Sequence, residues 1–303
     1  MDLPRLACTL ALAFVVAGCG ASPSPPRRSS LFSYDATAPL RYADRGRVNT
    51  HKYPLAVHDV SYSSGGRRVE CYLVLPPGRR RHPAVVFVHG SGGDRRELLP
   101  QAGWLAARNV VTLTITAPSA TARSASSTPE AALAKLRATS VADVVAVRRA
   151  VDLLRSLAVV DPARIGYVGW SAGARTGTLL AAAEPRLRAL VLLSAGAAPV
   201  SAYAAAVPPA LRAQVRRVLG SVDPLRYVAR ARPGSLLLED GRRDRVVPRA
   251  ALLNVVHAAP RGTAIRWYDA PHALDRKAYR DAFAWLARKL PILGAPVRGA
   301  AIA

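Results

Sequence analysis

The chain has 303 residues, half of them hydrophobic, which suits one sizeable globular domain with terminal extensions. Its net charge is +24, but the arginines are scattered, and neither an aromatic-interleaved basic stripe nor a zinc-finger spacing accompanies them. We therefore expect no specific nucleic-acid partner, while loose attraction to anionic membranes stays open. The three cysteines, Cys8, Cys19 and Cys71, lack the paired spacing of metal ligands, so we expect no metal site.

The N-terminus has the pattern of an export signal. Residues 1–19 read M-D-L-P-R-L-A-C-T-L-A-L-A-F-V-V-A-G-C, an apolar stretch too short to span a bilayer. The ending V-A-G-C resembles the lipobox of bacterial lipoproteins. That resemblance implies removal of residues 1–18, lipidation of Cys19, and an exported protein held at the cell membrane by its lipid anchor. An ordinary signal peptide that is cut nearby is the alternative.

Composition divides the rest of the chain into three parts. Residues 19–50 include the stretch A-S-P-S-P-P-R-R-S-S, and their Pro/Ser-rich composition predicts a disordered tether. Residues 51–290 form the predicted folded domain, and residues 291–303 a frayed tail without chemistry.

Within the domain, predicted strands and helices alternate. An antiparallel hairpin is predicted first, followed by continuous apolar runs typical of strands buried on both faces of a parallel sheet. The helix at 140–157 is the clearest, with Ser140 available as its cap. This alternation predicts a mostly parallel, eight-stranded sheet flanked by helices, with reactive groups at the carboxyl ends of the strands. The predicted strands are 57–62, 67–75, 84–89, 110–115, 164–169, 189–194, 235–240 and 264–268.

One strand-to-helix junction carries a candidate nucleophile. Residues 169–173 read G-W-S-A-G, directly after the buried run that ends at Val168. Gly-X-Ser-X-Gly in this position predicts a nucleophile elbow, a strained turn that exposes the Ser171 hydroxyl. Gly169 and Gly173 are needed because a Cβ there would strike the neighbouring strand and helix.

A nucleophilic serine needs a base and a carboxylate that orients the base. Asp244 and His272 follow later strands in the order Ser, acid, His that such sheets use, on loops at the same edge as Ser171. Asp240 and Asp269 are rival carboxylates, but they lie inside or at the edge of predicted strands.

The glycine-rich stretch F-V-H-G-S-G-G-D at 87–94 predicts an oxyanion hole. We expect the backbone N–H groups of Ser91 and Ala172 to bind the oxyanion and His89 to shape the loop. The Lys-Ser/Thr ending of a phosphate-binding loop is absent, and we expect no metal or organic cofactor.

Four motifs in this order resemble the α/β-hydrolases, close to the dienelactone-hydrolase and prolyl-oligopeptidase-like branch. They are H-G-S-G-G at 89–93, G-W-S-A-G at 169–173, G-R-R-D-R-V-V-P at 241–248 and P-H-A-L at 271–274. The resemblance implies the α/β-hydrolase fold and a Ser171–His272–Asp244 triad. Dienelactone hydrolases use a cysteine nucleophile, so the serine here indicates a general serine esterase instead.

The predicted activity is hydrolysis of small-molecule carboxylic esters or thioesters. The Ala-rich segment 198–232 predicts a small helical lid, in which Tyr203 is a candidate for lining an acyl pocket together with Trp170. Core packing explains Trp170 at least as well. Arginines near the site (Arg175, Arg212, Arg216 and Arg217) would favour anionic substrates, although a solvated face explains them equally. A peptidase of the same fold and a non-catalytic binding lipoprotein are the alternatives.

Overall fold

The structure is a computed structural model that describes residues 31–48, 53, 55–78, 80–122 and 128–292. The predicted signal at 1–18, Cys19 and nearly all of the predicted tail lie outside the described residues.

The described chain is built on a nine-stranded sheet in the order β1-β2-β3-β5-β4-β6-β7-β8-β9. Strands β1, β2 and β3 are antiparallel to their neighbours, and the six strands β4 to β9 run parallel to one another. Continuous burial of β4, β5 and most of β7 reflects helices on both faces. The strands are β1 Ala43–Val48, β2 Val57–Ser64, β3 Arg67–Val74, β4 His82–Val88, β5 Val111–Ile115, β6 Val160–Trp170, β7 Leu187–Leu193, β8 Leu236–Gly241 and β9 Ala264–Tyr268.

Helices cover the two faces of the sheet and enclose two large apolar clusters. They are α1 Leu99–Ala106, α2 Pro118–Thr121, α3 Pro129–Ser156, α4 Ala172–Ala183, α5 Val200–Ala205, α6 Pro209–Ser221, α7 Pro224–Val228, α8 Arg249–Ala258 and α9 Arg276–Lys289. Of the helices in the described ranges, none combines the length and the apolar character needed to cross a membrane.

Helix α3 confirms the predicted helix but begins eleven residues earlier, at Pro129. Its cap is Thr128, whose hydroxyl accepts the Ala131 N–H at 3.2 Å, so the prediction of Ser140 as the cap was wrong. Ser140 instead lies within the helix and is buried. The part of α3 before Ser140 is largely exposed, so it lacks the buried apolar stripe that a search for periodicity detects.

The prediction of eight strands missed β1, which lies within the predicted tether. Its sequence, A-D-R-G-R-V, lacks apolar alternation, and it forms a strand because it pairs with the edge of β2. Phe32 is also buried, with its ring 5.3 Å from that of Tyr227. The folded part therefore includes residues 31–48, and the predicted boundary at 50 was wrong.

Three helices occupy the segment predicted as a lid. The first two, α5 and α6, enclose a small apolar cluster of their own around Ala204, Val215 and Leu219. The third, α7, places Val228 in the main core, so the separate layer ends near residue 221. Tyr203 is 48% exposed on α5. The lid arginines Arg212, Arg216 and Arg217 are exposed as well.

Candidate active site

Ser171 lies on a sharp turn between β6 and α4. Its backbone has φ 54° and ψ −110°, a conformation that L-residues rarely adopt, and its N–H donates to the Leu193 carbonyl at 2.9 Å. A methyl group on Gly169 would lie 2.5 Å from the Gly173 backbone, and one on Gly173 would lie 2.2 Å from the Val88 carbonyl oxygen. The glycines thus allow helix α4 to pack directly against β4 and β6.

His272 and Asp244 meet Ser171 at the carboxyl edge of the sheet. His272 Nε2 lies 2.9 Å from Ser171 Oγ, and His272 Nδ1 lies 2.7 Å from Asp244 Oδ2. The other oxygen of Asp244 accepts the N–H groups of Val246 and Val247 at 2.8 and 2.9 Å. Because its side chain is only 1% exposed, these bonds stabilise a carboxylate that water cannot reach.

The rival carboxylates have other environments. Asp269 is 80% exposed at its side chain and forms an ion pair with Arg243 at 2.7 Å. Asp240 is buried, and within the described residues its Oδ1 has no hydrogen-bond partner. Burial, together with the charge of Asp244, raises the pKa of Asp240 to about 7. Of the three candidates, only Asp244 is brought to His272.

The loop after β4 approaches the start of α4. Gly173 N–H donates to the His89 carbonyl at 3.0 Å, which joins the two segments. Ser91 and Ala172 both line a cavity of about 160 Å³ beside this contact. No acceptor among the described residues binds the N–H of either one. These two amides are therefore free to bind an oxygen atom of a ligand.

His89 lies below this loop and shapes it. Its Nδ1 is 2.6 Å from the Gly90 carbonyl, and its Nε2 accepts the Ala117 N–H at 2.9 Å. Both ring nitrogens are occupied by backbone groups, as expected for a structural histidine. Glu97, which no sequence motif indicated, accepts the Gly90 N–H at 2.7 Å and holds the loop from its other side.

Trp170 and Ser194 also contact the site. Both donate to the His272 carbonyl, the indole Nε1 at 3.0 Å and the hydroxyl at 2.9 Å. Sequence reasoning placed Trp170 in an acyl pocket or in the core and missed Ser194. The position of Ser194 directly after a buried strand was the available signal.

Arg175 lies behind the elbow rather than at an open surface. Its Nη1 is 3.4 Å from Ser140 Oγ, and burial lowers its pKa. In the part of the chain that the structure describes, no group of three or more His, Cys, Asp or Glu side chains is arranged to hold a metal ion.

The sheet order, the serine elbow and the positions of Asp244 and His272 after later strands define the α/β-hydrolase fold. No protein-family model matches the chain. Among curated proteins, the chain is 30% identical over 226 residues to NocK of Nocardia uniformis subsp. tsuyamanensis, a protein named as an inferred esterase. The match covers 72% of this chain and 64% of NocK, so the chain spans less than two thirds of that relative.

Solved esterase structures share the fold. Acetyl xylan esterase 1 from Thermoanaerobacterium sp. JW/SL YS485 has a TM-score of 0.66 at 17% identity, covering 82% of this chain and 88% of its own. The acetyl xylan esterase from Paenibacillus sp. R4 has a TM-score of 0.67 at 17% identity, with coverages of 83% and 90%. At this level of identity the likeness shows the fold alone.

Proposed function

We propose that the protein is an exported, lipid-anchored serine hydrolase that cleaves small carboxylic esters or thioesters through an acyl-enzyme. The observation that carries this proposal is the continuous contact from Ser171 Oγ to His272 at 2.9 Å and from His272 to Asp244 at 2.7 Å. A nucleophile, a base and an orienting carboxylate at these distances are what acyl transfer to water requires.

In the proposed mechanism, His272 Nε2 accepts the proton of Ser171 as Oγ attacks the carbonyl carbon. Asp244 accepts a hydrogen bond from His272 Nδ1–H, which keeps Nε2 unprotonated and able to act as the base. The N–H groups of Ser91 and Ala172 bind the oxyanion, for which each donor contributes on the order of a hundredfold in rate. His272 then protonates the leaving group, and water hydrolyses the acyl-enzyme by the same steps in reverse.

The cavity of about 160 Å³ beside Ser91 and Ala172 is lined by neither Ser171 nor His272, so the proposed acyl group rests on the similar esterases. Solved esterases of this fold include enzymes named for acetyl xylan, which agrees with a small acyl group. We therefore propose acetyl to butyryl esters as the preferred class.

Hydrolysis of p-nitrophenyl esters from acetate to palmitate by the full chain in detergent tests the activity. The expected result is turnover of the short esters that falls at least about 10⁴-fold in Ser171→Ala, since the nucleophile is removed. Ser235→Ala is the matched control, because Ser235 is buried at the amino end of β8, far from the site.

Either of two results contradicts the proposal. Full activity in Ser171→Ala would exclude this serine as the nucleophile. A folded protein that cleaves peptide anilides but no ester would instead support the peptidase alternative.

The proposed location rests on residues 1–19 and is tested separately. The expected result is incorporation of labelled fatty acid into the full chain and its recovery with membranes, both lost in Cys19→Ala. Cys8→Ala, also in the apolar segment, is the control. Equal recovery of the label in Cys19→Ala would contradict the lipid anchor.

A further inference from the structure

The loop that carries His272 lies between β9 and α9, and its Ala270 carbonyl accepts the Arg243 N–H at 3.1 Å. The His272 carbonyl accepts two hydrogen bonds from residues at the carboxyl ends of two other strands. Trp170 Nε1 donates at 3.0 Å from the last residue of β6, and Ser194 Oγ donates at 2.9 Å from the residue directly after β7. The backbone of the base is thus attached to the centre of the sheet.

Ser194 occupies the same place on β7 that Ser171 occupies on β6. Trp170 pairs with Leu193 in the parallel register, so the two serines are neighbours one residue further along. Both have a positive φ, 54° for Ser171 and 55° for Ser194, and Ser194 is completely buried. A serine held in this strained conformation costs free energy, and among the described residues the single hydrogen bond of its hydroxyl is to the His272 carbonyl.

Trp170 lies between two loops, the one that carries His272 and the one that carries Gly90 and Ser91. Its ring centroid lies 5.3 Å from that of the His272 imidazole, with 44° between the planes. On the other side, a methyl group on Gly90 would be only 2.8 Å from the indole carbons Cε3 and Cζ3. The indole therefore fills the space between the peptide before Ser91 and the loop of the base.

We propose that Trp170 and Ser194 form a two-donor clamp that positions His272 relative to Ser171. This inference rests on the proposed function, because it assigns the clamp to the base of that reaction. The two residues do not touch the reacting atoms; they act through the position of the imidazole. Since Trp170 directly precedes the nucleophile in the chain, the clamp ties base and nucleophile to one peptide unit.

The test uses the full chain with Trp170→Phe, Ser194→Ala and the double variant. Trp170→Phe keeps an aromatic ring and removes the N–H, and Ser194→Ala removes only the hydroxyl. Each single variant should lower kcat about threefold to tenfold, the effect of one hydrogen bond, with KM changed less than about twofold. In the double variant, kcat should fall by a larger factor than the product of the two single factors, because the His272 carbonyl then loses both donors.

Matched controls separate the clamp from a general loss of packing. Trp104→Phe removes an indole N–H that has no partner among the described residues, and the Trp104 ring packs on Phe283 away from the site. Ser235→Ala removes a buried hydroxyl that donates to the Arg232 carbonyl at 2.6 Å. Both controls should keep the wild-type kcat.

The low-field proton resonance of His272 Nδ1–H gives a second measurement that needs no substrate. It should broaden or disappear in the double variant and persist in both controls. An unchanged kcat in the double variant, or a loss confined to KM, would overturn the clamp while leaving the esterase proposal intact. A wild-type protein without esterase activity would end the proposed function, and the clamp would then be judged by the resonance alone.

Discussion

The carboxyl edge of the parallel strands and the Arg45 cluster on β1–β3, formed by Arg45, Asp59 and Glu70, are held together by different interactions. At the carboxyl edge the contacts are buried: Gly173 packs directly against the backbone of β4, and hydrogen bonds join Asp244, His272 and Ser171. In the Arg45 cluster the contacts are ion pairs at the surface, in which Arg45 bridges Asp59 and Glu70. The Arg45 side chain is 38% exposed, so solvent competes for each of these bonds.

This difference indicates where the molecule tolerates change. A buried site cannot relax around a new atom or replace a lost partner with water, whereas an exposed ion pair can do both. Substitutions at the carboxyl edge should therefore have large effects on activity or stability, and substitutions in the Arg45 cluster small ones.

Asp244→Asn should have the largest effect. Asparagine keeps the shape, but its amide favours the wrong tautomer of His272. If Asp244 acts as proposed, kcat should fall about 10³- to 10⁴-fold, the loss typical of this substitution in a serine triad. Steady-state kinetics on p-nitrophenyl acetate measures this loss, with Asp269→Asn as the exposed control. A loss below about tenfold would contradict the assigned role of Asp244.

Gly173→Ala should be the most destabilising substitution. The new methyl group would lie 2.2 Å from the Val88 oxygen, a backbone atom that cannot move aside cheaply. We expect a loss of about 3 kcal/mol in the free energy of unfolding, measured by urea denaturation. Gly220→Ala in α6 meets nothing within 4 Å and should stabilise the protein by up to about 1 kcal/mol. Equal stability of the two variants would refute the close-packing argument.

Asp240→Asn should change how stability depends on pH. The pKa of Asp240 is raised from 3.8 to about 7, chiefly by burial and further by the charge of Asp244. The folded state therefore binds this proton more tightly than the unfolded state, and the stabilisation present below about pH 4 is lost as pH rises towards 7. Glu239, with a pKa of about 7, adds to the same trend.

The measurement is Tm between pH 5 and 8. Wild type should lose Tm across this range more steeply than Asp240→Asn, and the variant should be a few degrees more stable at pH 8. Asp269→Asn, at an exposed side chain, should keep the wild-type slope. Parallel curves for Asp240→Asn and wild type would contradict the raised pKa.

Arg45→Gln should have the smallest effect. Removing an exposed cation from the pairs with Asp59 and Glu70 should cost within about 1 kcal/mol, and the difference from wild type should shrink as salt is added. Urea denaturation at low and high ionic strength measures both quantities. A loss as large as that of Gly173→Ala would show that the Arg45 cluster does not tolerate change.

Much of the fold and of the site could be predicted from sequence because the signals are local. The continuous apolar runs at β4 and β7 and the glycines around Ser171 each report their own environment within a few residues. Strand β1 could not be predicted, since a polar edge strand forms only when a partner offers free backbone groups. The positions of Asp244 and His272 after strands favoured them over Asp240 and Asp269. However, only three residues separate Asp240 from Asp244, and no local pattern shows which of the two contacts His272.

The sequence by itself therefore determined the alternating architecture, the strained serine and the residue types available at the carboxyl edge, because these depend on periodicity and local backbone sterics. Only the tertiary structure decided which carboxylate meets His272, that Trp170 and Ser194 both bond to the His272 carbonyl, and that Glu97 holds the Gly90 N–H. Each of those contacts joins different strand ends or loops. Such a pairing is set by strand order and register rather than by nearby residues, and it exists only once the sheet has formed.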